Sequence, residues 1–279
     1  MTTIHTIILS IIEGITEFLP ISSTGHMILA GKLLGISDTD FTKSFEIIIQ
    51  LGSISAVVVL YLKTLLKNVD LLKKTFVAFL PTAVLGLIFY KIIKTYLLGN
   101  TVVVILSLFI GGIVIIWFEK KLAKDALQKN SDELSVKNQK SESEAVSLSE
   151  VKQTPITYKK AFYIGLAQSV SMIPGVSRSA ATIVGGQLLG LTRVQIVEFS
   201  FILAIPTMIA ATFLDIYKNY QLFGSADIVQ LVLGFSVSFV VALIAIKSFL
   251  KYIQKNSLSS FGWYRIILAI FSAIIFINF

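Results

Sequence analysis

The sequence contains no cysteine, and only 14% of its 279 residues carry a charge. The absence of cysteine excludes disulfide bonds, thiolate nucleophiles and thiolate metal sites. A soluble domain carries roughly 25% charged residues, so the surface of this protein is poorly suited to water. The hydrophobic fraction of 55% supports the same view, and the composition indicates a protein that lies within a membrane.

Six long apolar runs each come close to the ~20 residues with which a helix crosses the hydrocarbon core of a bilayer. They occupy residues 45–62, 75–93, 102–118, 194–216, 228–249 and 261–277. The runs are too long for the strands of a membrane barrel and lack the alternation of such strands. The sequence therefore predicts an all-α integral membrane protein with six transmembrane helices, surrounded by bilayer lipids.

The formal net charge of +8 comes mostly from lysines and arginines that lie between the apolar runs. Such residues are enriched in cytoplasmic loops. A topology with the first, third and fifth connections in the cytoplasm satisfies this bias and puts both termini on the outer side. We therefore attribute the charge to membrane topology, and no nucleic-acid partner is predicted.

A polar stretch interrupts the apolar pattern in the middle of the chain. Residues 124–155 are rich in lysine, glutamate, serine and glutamine and contain no aromatic residue or isoleucine. This composition predicts a disordered cytoplasmic linker, which we assign to residues 124–157. It separates a first unit, 1–123, from a second unit, 158–279.

The two units resemble each other. Pro20 and Pro174 are 154 residues apart, and two Leu-Leu-Gly sequences, ending at Gly35 and Gly190, are 155 residues apart. Each unit contains three spans, so the second unit must be inverted relative to the first. Inverted repeats place a binding site near the bilayer midplane, where broken helices from both halves meet. The alternative is a chance similarity between apolar sequences.

Each unit begins with two apolar segments that are too short to cross the membrane. Residues 4–19 would form a helix of about 24 Å at ~1.5 Å per residue, against a hydrocarbon core of ~30 Å. We therefore interpret residues 4–36 and 161–191 as re-entrant helical hairpins whose polar turns lie within the membrane. Non-helical backbone at that depth needs protein or a wet cavity around it, so both turns should line one cavity.

The first hairpin carries the sequence EGITEFLPISSTGH at residues 13–26. Glu13 and Glu17 share one helical face, and each charge costs ~2.5–3.5 kcal/mol at the bilayer centre. A divalent cation, a proton or a facing arginine could compensate them. The alternative is that both side chains reach the outer surface.

The turn that follows combines hydroxyl groups with the start of a helix. Ser22, Ser23, Thr24 and Gly25 offer hydroxyls and free backbone N–H groups, which favour a phosphate. An ordinary helix cap would use the same residue types. His26 adds a group that titrates near neutral pH, although an isolated histidine can also be structural.

The second hairpin carries PGVSRSAAT at residues 174–182. Gly175 permits an unusual turn, and Ser177 and Ser179 supply hydroxyls at a helix start. Arg178 is suited to bidentate binding of phosphate or carboxylate. It could also act only as a structural partner of the first hairpin's carboxylates.

The two sequences resemble the signature motifs of the undecaprenyl-diphosphate phosphatases, the bacitracin-resistance proteins of bacterial membranes. The similarity extends to EFSFILAIPTM at residues 198–208 and ALIAIKSFL at residues 242–250. Two departures are Ala180, where the family usually has glycine, and a charged linker that is longer than is common.

The resemblance implies hydrolysis of undecaprenyl diphosphate to the monophosphate, which recycles the lipid carrier for peptidoglycan synthesis. It further implies a homodimer in the bacterial inner membrane, with six spans, two re-entrant hairpins in inverted repeats and an active site that opens to the periplasmic side.

In the resulting hypothesis Arg178 and both helix starts bind phosphate oxygens, while Glu13 and Glu17 hold Mg²⁺ or Ca²⁺. Ser23 attacks phosphorus with His26 as its base, or His26 or water is the nucleophile instead. The rival function is a transporter that moves the polyprenyl phosphate across the membrane. Lys247 and Arg265 lie near or within spans and have no assigned role.

Overall fold

The computed structural model describes residues 1–37, 39–97, 99–137, 154–219 and 225–277. Within these ranges the chain forms α-helices and no strands. In chain order the helices are α1 (Thr3–Thr16), α2 (Ser23–Leu33), α3 (Asp40–Lys67), α4 (Val69–Ile92), α5 (Thr101–Lys137), α6 (Tyr158–Ser169), α7 (Arg178–Leu188), α8 (Arg193–Asn219), α9 (Ser225–Ile253) and α10 (Ser259–Ile277). A π-helical turn follows α4 and a 3₁₀ turn follows α6.

Six of these helices, α3, α4, α5, α8, α9 and α10, are long and apolar enough to cross a membrane. They correspond to the six predicted runs, so the predicted all-α, six-span architecture is confirmed. Each helix carries many exposed apolar side chains, of which Leu87 and Phe213 are both 72% exposed. In water such a surface would drive aggregation; in a bilayer it faces lipid.

Helix α5 extends further than the sequence predicted. It continues to Lys137, through the first part of the segment assigned to the linker at 124–157. These residues include alanine, leucine, lysine and glutamate, which are good helix formers, and adding residues to an existing helix is easy compared with starting one. Residues 138–153 of the predicted linker lie outside the described residues.

The short helices α2 and α7 are built alike. Each begins after a serine with positive φ, Ser22 at 72° and Ser177 at 77°, and each ends before a glycine with positive φ, Gly35 at 63° and Gly190 at 79°. Positive φ is uncommon for residues other than glycine. The two serines nevertheless keep it, because each side chain caps its own helix. Both pairs are 155 residues apart, the spacing seen in the sequence.

The two units interlock through these short segments. Helix α1 packs against α9 of the second unit, and α6 packs against α4 of the first. Glycine permits both contacts: a Cβ at Gly14 would lie 2.8 Å from the carbonyl oxygen of Ser238, and one at Gly165 would lie 2.0 Å from that of Ala78. This exchange brings the turns after α1 and α6 together inside the bundle.

Candidate active site

A cavity of about 230 Å³ lies where α2 and α7 begin. This volume is below the ~300–1,000 Å³ of pockets that enclose a drug-sized ligand, so the cavity suits a polar head group rather than a long lipid chain. Both turns contribute to its wall, together with α3, α4 and α8. Its polar lining residues are Glu17, Ser22, Ser23, Thr24, Gln50, Thr82, Ser171, Ser177, Arg178 and Thr207.

Three of these side chains form the centre of the site. The Ser23 hydroxyl donates a hydrogen bond to Oε2 of Glu17. Nη2 of Arg178 lies 3.3 Å from Oε1 of the same carboxylate, and Nη1 donates to the carbonyl oxygen of Ser200 at 2.8 Å. Nε of Arg178 has no partner among the residues that the structure describes. One carboxylate therefore joins a hydroxyl from the first turn to a guanidinium from the second, and the guanidinium retains a free donor.

Both helix starts lie at the cavity, where the sequence predicted groups that could bind an anion. Ser22 Oγ accepts from the N–H of Gly25 at 3.3 Å, and Ser177 Oγ accepts from that of Ala180 at 3.2 Å. These caps satisfy one N–H in each helix, and the earlier N–H groups of a first turn have no intrahelical partner. The positive ends of two helix dipoles therefore meet at one cavity, a favourable place for phosphate.

The predicted substrate-binding residues divide into two groups. Ser22, Thr24 and Ser177 line the cavity, whereas Gly25 and Ser179 do not. The Ser179 hydroxyl is fully buried and donates to the carbonyl oxygen of Phe18 at 2.9 Å. It therefore ties the second turn to the first.

Glu13 lies one helical turn before Glu17, behind the cavity wall. It has no exposed surface, and neither of its oxygens is hydrogen-bonded to a donor in the described part of the chain. Glu17 lies close enough for the two carboxyl groups to share a proton, and the charges of Glu46 and Arg178 also act on Glu13. A buried carboxylate without donors is unfavourable unless it binds a proton or a cation.

A divalent cation at this site would need oxygen ligands from nearby side chains. Among the described residues no group of three His, Cys, Asp or Glu side chains is close enough to hold a metal ion. Mg²⁺ does not need such a cluster, because it usually keeps several waters and takes one or two carboxylates plus phosphate oxygens from a substrate. The cavity-facing Glu17 fits this mode, and the oxygens of Glu13, one helical turn away, have no donor but do not line the cavity.

The structure does not form the predicted pair between Ser23 and His26. The imidazole Nδ1 lies 2.7 Å from the carbonyl oxygen of Ser22, and Nε2 lies 2.7 Å from the hydroxyl of Tyr264. Because a carbonyl oxygen only accepts, Nδ1 carries the proton and Nε2 accepts from Tyr264. The Ser23 hydroxyl donates its hydrogen bond to Glu17, across the turn, instead. The spacing of three residues correctly put His26 close to Ser23 along the helix. It could not show that the imidazole would instead bind the carbonyl oxygen of Ser22, the residue that caps the same helix.

Sequence reasoning missed a polar group at the far wall of the cavity. Nε2 of Gln168 donates to Thr82 Oγ1 at 3.0 Å and to Thr207 Oγ1 at 3.2 Å, and both threonines line the cavity. Each threonine directly follows a proline inside a spanning helix, Pro81 or Pro206. A proline inside a helix leaves a backbone carbonyl without its hydrogen-bond donor, and lipid cannot supply one. A proline followed by threonine within a spanning run is therefore a sequence signal that could have identified Thr82 and Thr207.

The two unassigned basic residues have different surroundings. Lys247 is exposed, which is consistent with a side chain that reaches the membrane surface. Arg265 is fully buried behind the two turns.

Comparison with known proteins confirms the resemblance seen in the motifs. The family model described as bacitracin resistance protein BacA matches residues 6–271. A protein of Aquifex aeolicus named undecaprenyl-diphosphatase is 46% identical to the chain over 277 residues, which cover 99% of the chain and all of the relative. Proteins of the same name from a Sulfurihydrogenibium species and from Bdellovibrio bacteriovorus are 49% and 45% identical, each over 97% of the chain and over 98% and 94% of the relative. Matches of this extent, on a helical membrane fold with a carboxylate, a hydroxyl and a guanidinium in one cavity, show that the chain belongs to the bacitracin resistance protein BacA family.

Proposed function

We propose that this protein hydrolyses undecaprenyl diphosphate to undecaprenyl phosphate and inorganic phosphate, which recycles the lipid carrier for peptidoglycan synthesis and confers bacitracin resistance. The observation that carries the proposal is the contact of one carboxylate, Glu17, with both Ser23 and Arg178 in a cavity lined by two helix starts. The relatives' name, undecaprenyl-diphosphatase, specifies the substrate.

The chemistry follows from what each group can do. Arg178 and the N–H groups of both helix starts bind oxygens of the terminal phosphoryl group and stabilise the charge that develops on them. Ser23 Oγ attacks the terminal phosphorus and passes its proton to Glu17, while the bond from phosphorus to the bridging oxygen breaks and undecaprenyl phosphate leaves. Water then attacks the phosphorus of the phosphoserine, the bond from phosphorus to Ser23 Oγ breaks, Ser23 Oγ takes back the proton from Glu17, and inorganic phosphate is released.

Two alternatives for the nucleophile remain part of the proposal. Water could attack directly, with Glu17 as its base. His26 could attack instead, which would require its ring to leave the hydrogen bonds to Ser22 and Tyr264. Ser23 is favoured, because its hydroxyl already donates to a carboxylate in the cavity wall.

The proposed cofactor is a divalent cation, Mg²⁺ or Ca²⁺, held by Glu17 and Glu13. It would neutralise part of the diphosphate charge. Glu17 is then shared between Ser23, Arg178 and the cation, so binding of the cation and of phosphate by Arg178 should be coupled.

We further propose that α1–α2 and α6–α7 are re-entrant hairpins of two inverted repeats. Support comes from the equal build of α2 and α7 and from the way α1 and α6 each pack into the opposite unit. The periplasmic opening of the site, its place in the bacterial inner membrane and a homodimer are proposed from the family resemblance.

The rival function, transport of polyprenyl phosphate, is distinguished by a chemical readout. Purified protein in detergent micelles has no second compartment, so release of inorganic phosphate from a polyprenyl diphosphate can come only from hydrolysis. We expect release with added Mg²⁺ or Ca²⁺ and its loss after chelation. No release under either condition would contradict the phosphatase proposal, and release that is unchanged by chelator would contradict the cation.

A further inference from the structure

Arg265 lies in the middle of the spanning helix α10, with no exposed surface. All five of its N–H groups donate to backbone carbonyl oxygens. The acceptors, at 2.9–3.3 Å, are Pro20 of the first turn, Gly175 and Val176 of the second turn, and Ser107 and Leu108 of α5. A guanidinium has five donors in fixed directions, and here each of them is used.

This arrangement differs from an ordinary buried ion pair. No carboxylate in the described ranges lies within ion-pair distance of Arg265, unlike Arg178 and Arg193, which pair with Glu17 and Glu119. Its charge is balanced by carbonyl dipoles alone, and three of those carbonyls belong to the two turns. A lysine could not replace it, because an ammonium group has only three donors and no fork geometry.

The surrounding backbone leaves room for the guanidinium. A Cβ at Gly111 of α5 would lie 2.1 Å from Nη2 of Arg265, and a Cβ at Gly175 would lie 2.7 Å from the carbonyl oxygen of Val104. Gly175 also has a φ of 93°, which side chains rarely tolerate. Both glycines therefore allow α5, the second turn and the arginine to lie in direct contact.

We propose that Arg265 is a positioning residue that sets the two turns at the separation required for catalysis. Its hydrogen bonds fix the backbone just before Ser22 and Ser177, the residues that cap α2 and α7. Because the C=O and N–H of a planar trans peptide point in opposite directions, holding the Val176 carbonyl turns the N–H of Ser177 away from Arg265. The neighbouring Tyr264 holds His26, so α10 supports the site at two adjacent positions.

The inference rests on the proposed hydrolysis only for its kinetic readout. Arg265→Lys keeps the charge but cannot serve all five carbonyls. We expect kcat to fall at least about tenfold, since misplacement of reacting groups by 1 Å can cost about 10²-fold, while KM changes less than about threefold. The matched control is Arg193→Lys. Arg193 joins Glu119 and Asn256 away from the turns, so its replacement should not move them, and kcat should stay within about twofold of wild type.

A second readout does not depend on activity. The sequence has no native cysteine, so spin labels can be attached specifically to Leu33→Cys and Leu188→Cys, two exposed positions at the ends of α2 and α7. Pulsed electron–electron double resonance should give a narrow distribution of distances between the two labels in the otherwise wild-type chain. With Arg265→Lys the distribution should be broader or shifted. A label pair at Leu87→Cys and Val229→Cys, on α4 and α9, should not change.

The outcomes separate the positioning role from the function. An unchanged α2–α7 distance distribution with Arg265→Lys would overturn the positioning role, whatever happens to activity. If Arg265→Lys does not fold, Gly111→Ala supplies the same test, because its methyl group displaces a guanidinium that is still present. If wild-type protein releases no phosphate but the distance still changes, the proposed function fails and the positioning role holds.

Discussion

Glu13 has a chemical environment that stability measurements can test at the scale of one residue. Its buried oxygens lack donors in the described part of the chain, so removal of the charge should stabilise the protein while it harms function. We expect Glu13→Gln to raise the thermal unfolding midpoint without divalent cations, by about 2–4 °C per kcal/mol, and to lower the rate of phosphate release. Static light scattering in detergent with and without Mg²⁺ measures the midpoint.

Glu119→Gln is the matched control for this measurement. Glu119 is also buried, but its carboxylate lies 2.7 Å from Arg193, so loss of its charge leaves a partly buried guanidinium unpaired. The midpoint should therefore fall. A lower midpoint for Glu13→Gln as well would show that the Glu13 carboxylate has a stabilising partner.

Ser23 should be indispensable if its hydroxyl is the nucleophile. Ser23→Ala removes the group that donates to Glu17, and loss of a nucleophile commonly lowers kcat by about 10³-fold or more. A phosphate-release assay measures this, with Ser236→Ala as the control because Ser236 only donates to its own helix on an exposed face. Substantial residual activity of Ser23→Ala would assign the attack to water or His26.

Arg178 should be required for phosphate binding. Arg178→Ala removes the free Nε donor and the contact with Glu17, and we expect less than about a tenth of wild-type turnover, since charge-stabilising donors are worth about 10²–10³ in kcat. Arg178→Lys should recover only part of the loss, since lysine lacks the fork that binds two oxygens. Retention of most activity by either variant would remove Arg178 from the phosphate site.

At the scale of elements, the short helices depend on close contact with their partners. Gly165→Ala would place a methyl group 2.0 Å from the carbonyl oxygen of Ala78, forcing α6 away from α4 and with it the turn that carries Arg178. Overpacking of this kind costs about 1–3 kcal/mol, so both the thermal midpoint and the activity should fall. Gly31→Ala on α2 meets nothing within 4 Å and should be neutral or slightly stabilising.

The elements themselves were largely predictable from the sequence. The length of the apolar runs alone predicts the six spans. The same measure shows that the segments of α1 and α2 are too short to cross the membrane. The end of α5 was not predictable, because a polar composition is compatible with either a linker or the exposed extension of a helix. Residues 124–137 show that local propensity prevailed there.

The composition of the site was predictable, but its pairings were not. Glu17, Ser23 and Arg178 could be recognised in the sequence as polar residues within apolar segments. Such side chains are unfavourable in lipid without a partner. Which side chain accepts the Ser23 hydrogen bond depends on the backbone at the turn. Ser22 adopts a φ of 72° there, which residue spacing cannot reveal. The partners of Arg265 are backbone carbonyls, which have no sequence signature.

At the scale of the whole molecule, the membrane orientation can be tested by thiol labelling. Single cysteines at Asn100, before α5, and at Asn68 and Ser257, in the connections after α3 and α9, can be introduced into a chain without native cysteine. A membrane-impermeant maleimide added to intact cells should label Asn100→Cys and leave the other two unlabelled until the cells are opened. The reverse pattern would contradict a site that opens to the outer side.

The hydrogen bond from Arg265 to Pro20 joins residues separated by 245 positions. During synthesis the first turn emerges early, whereas the arginine that holds it emerges near the end of translation. An incomplete or C-terminally truncated chain therefore contains Glu17, Ser23 and Arg178 without the backbone restraint that aligns them. On the proposed role of Arg265, the two turns acquire their last backbone restraint only after α10 has been synthesised and inserted.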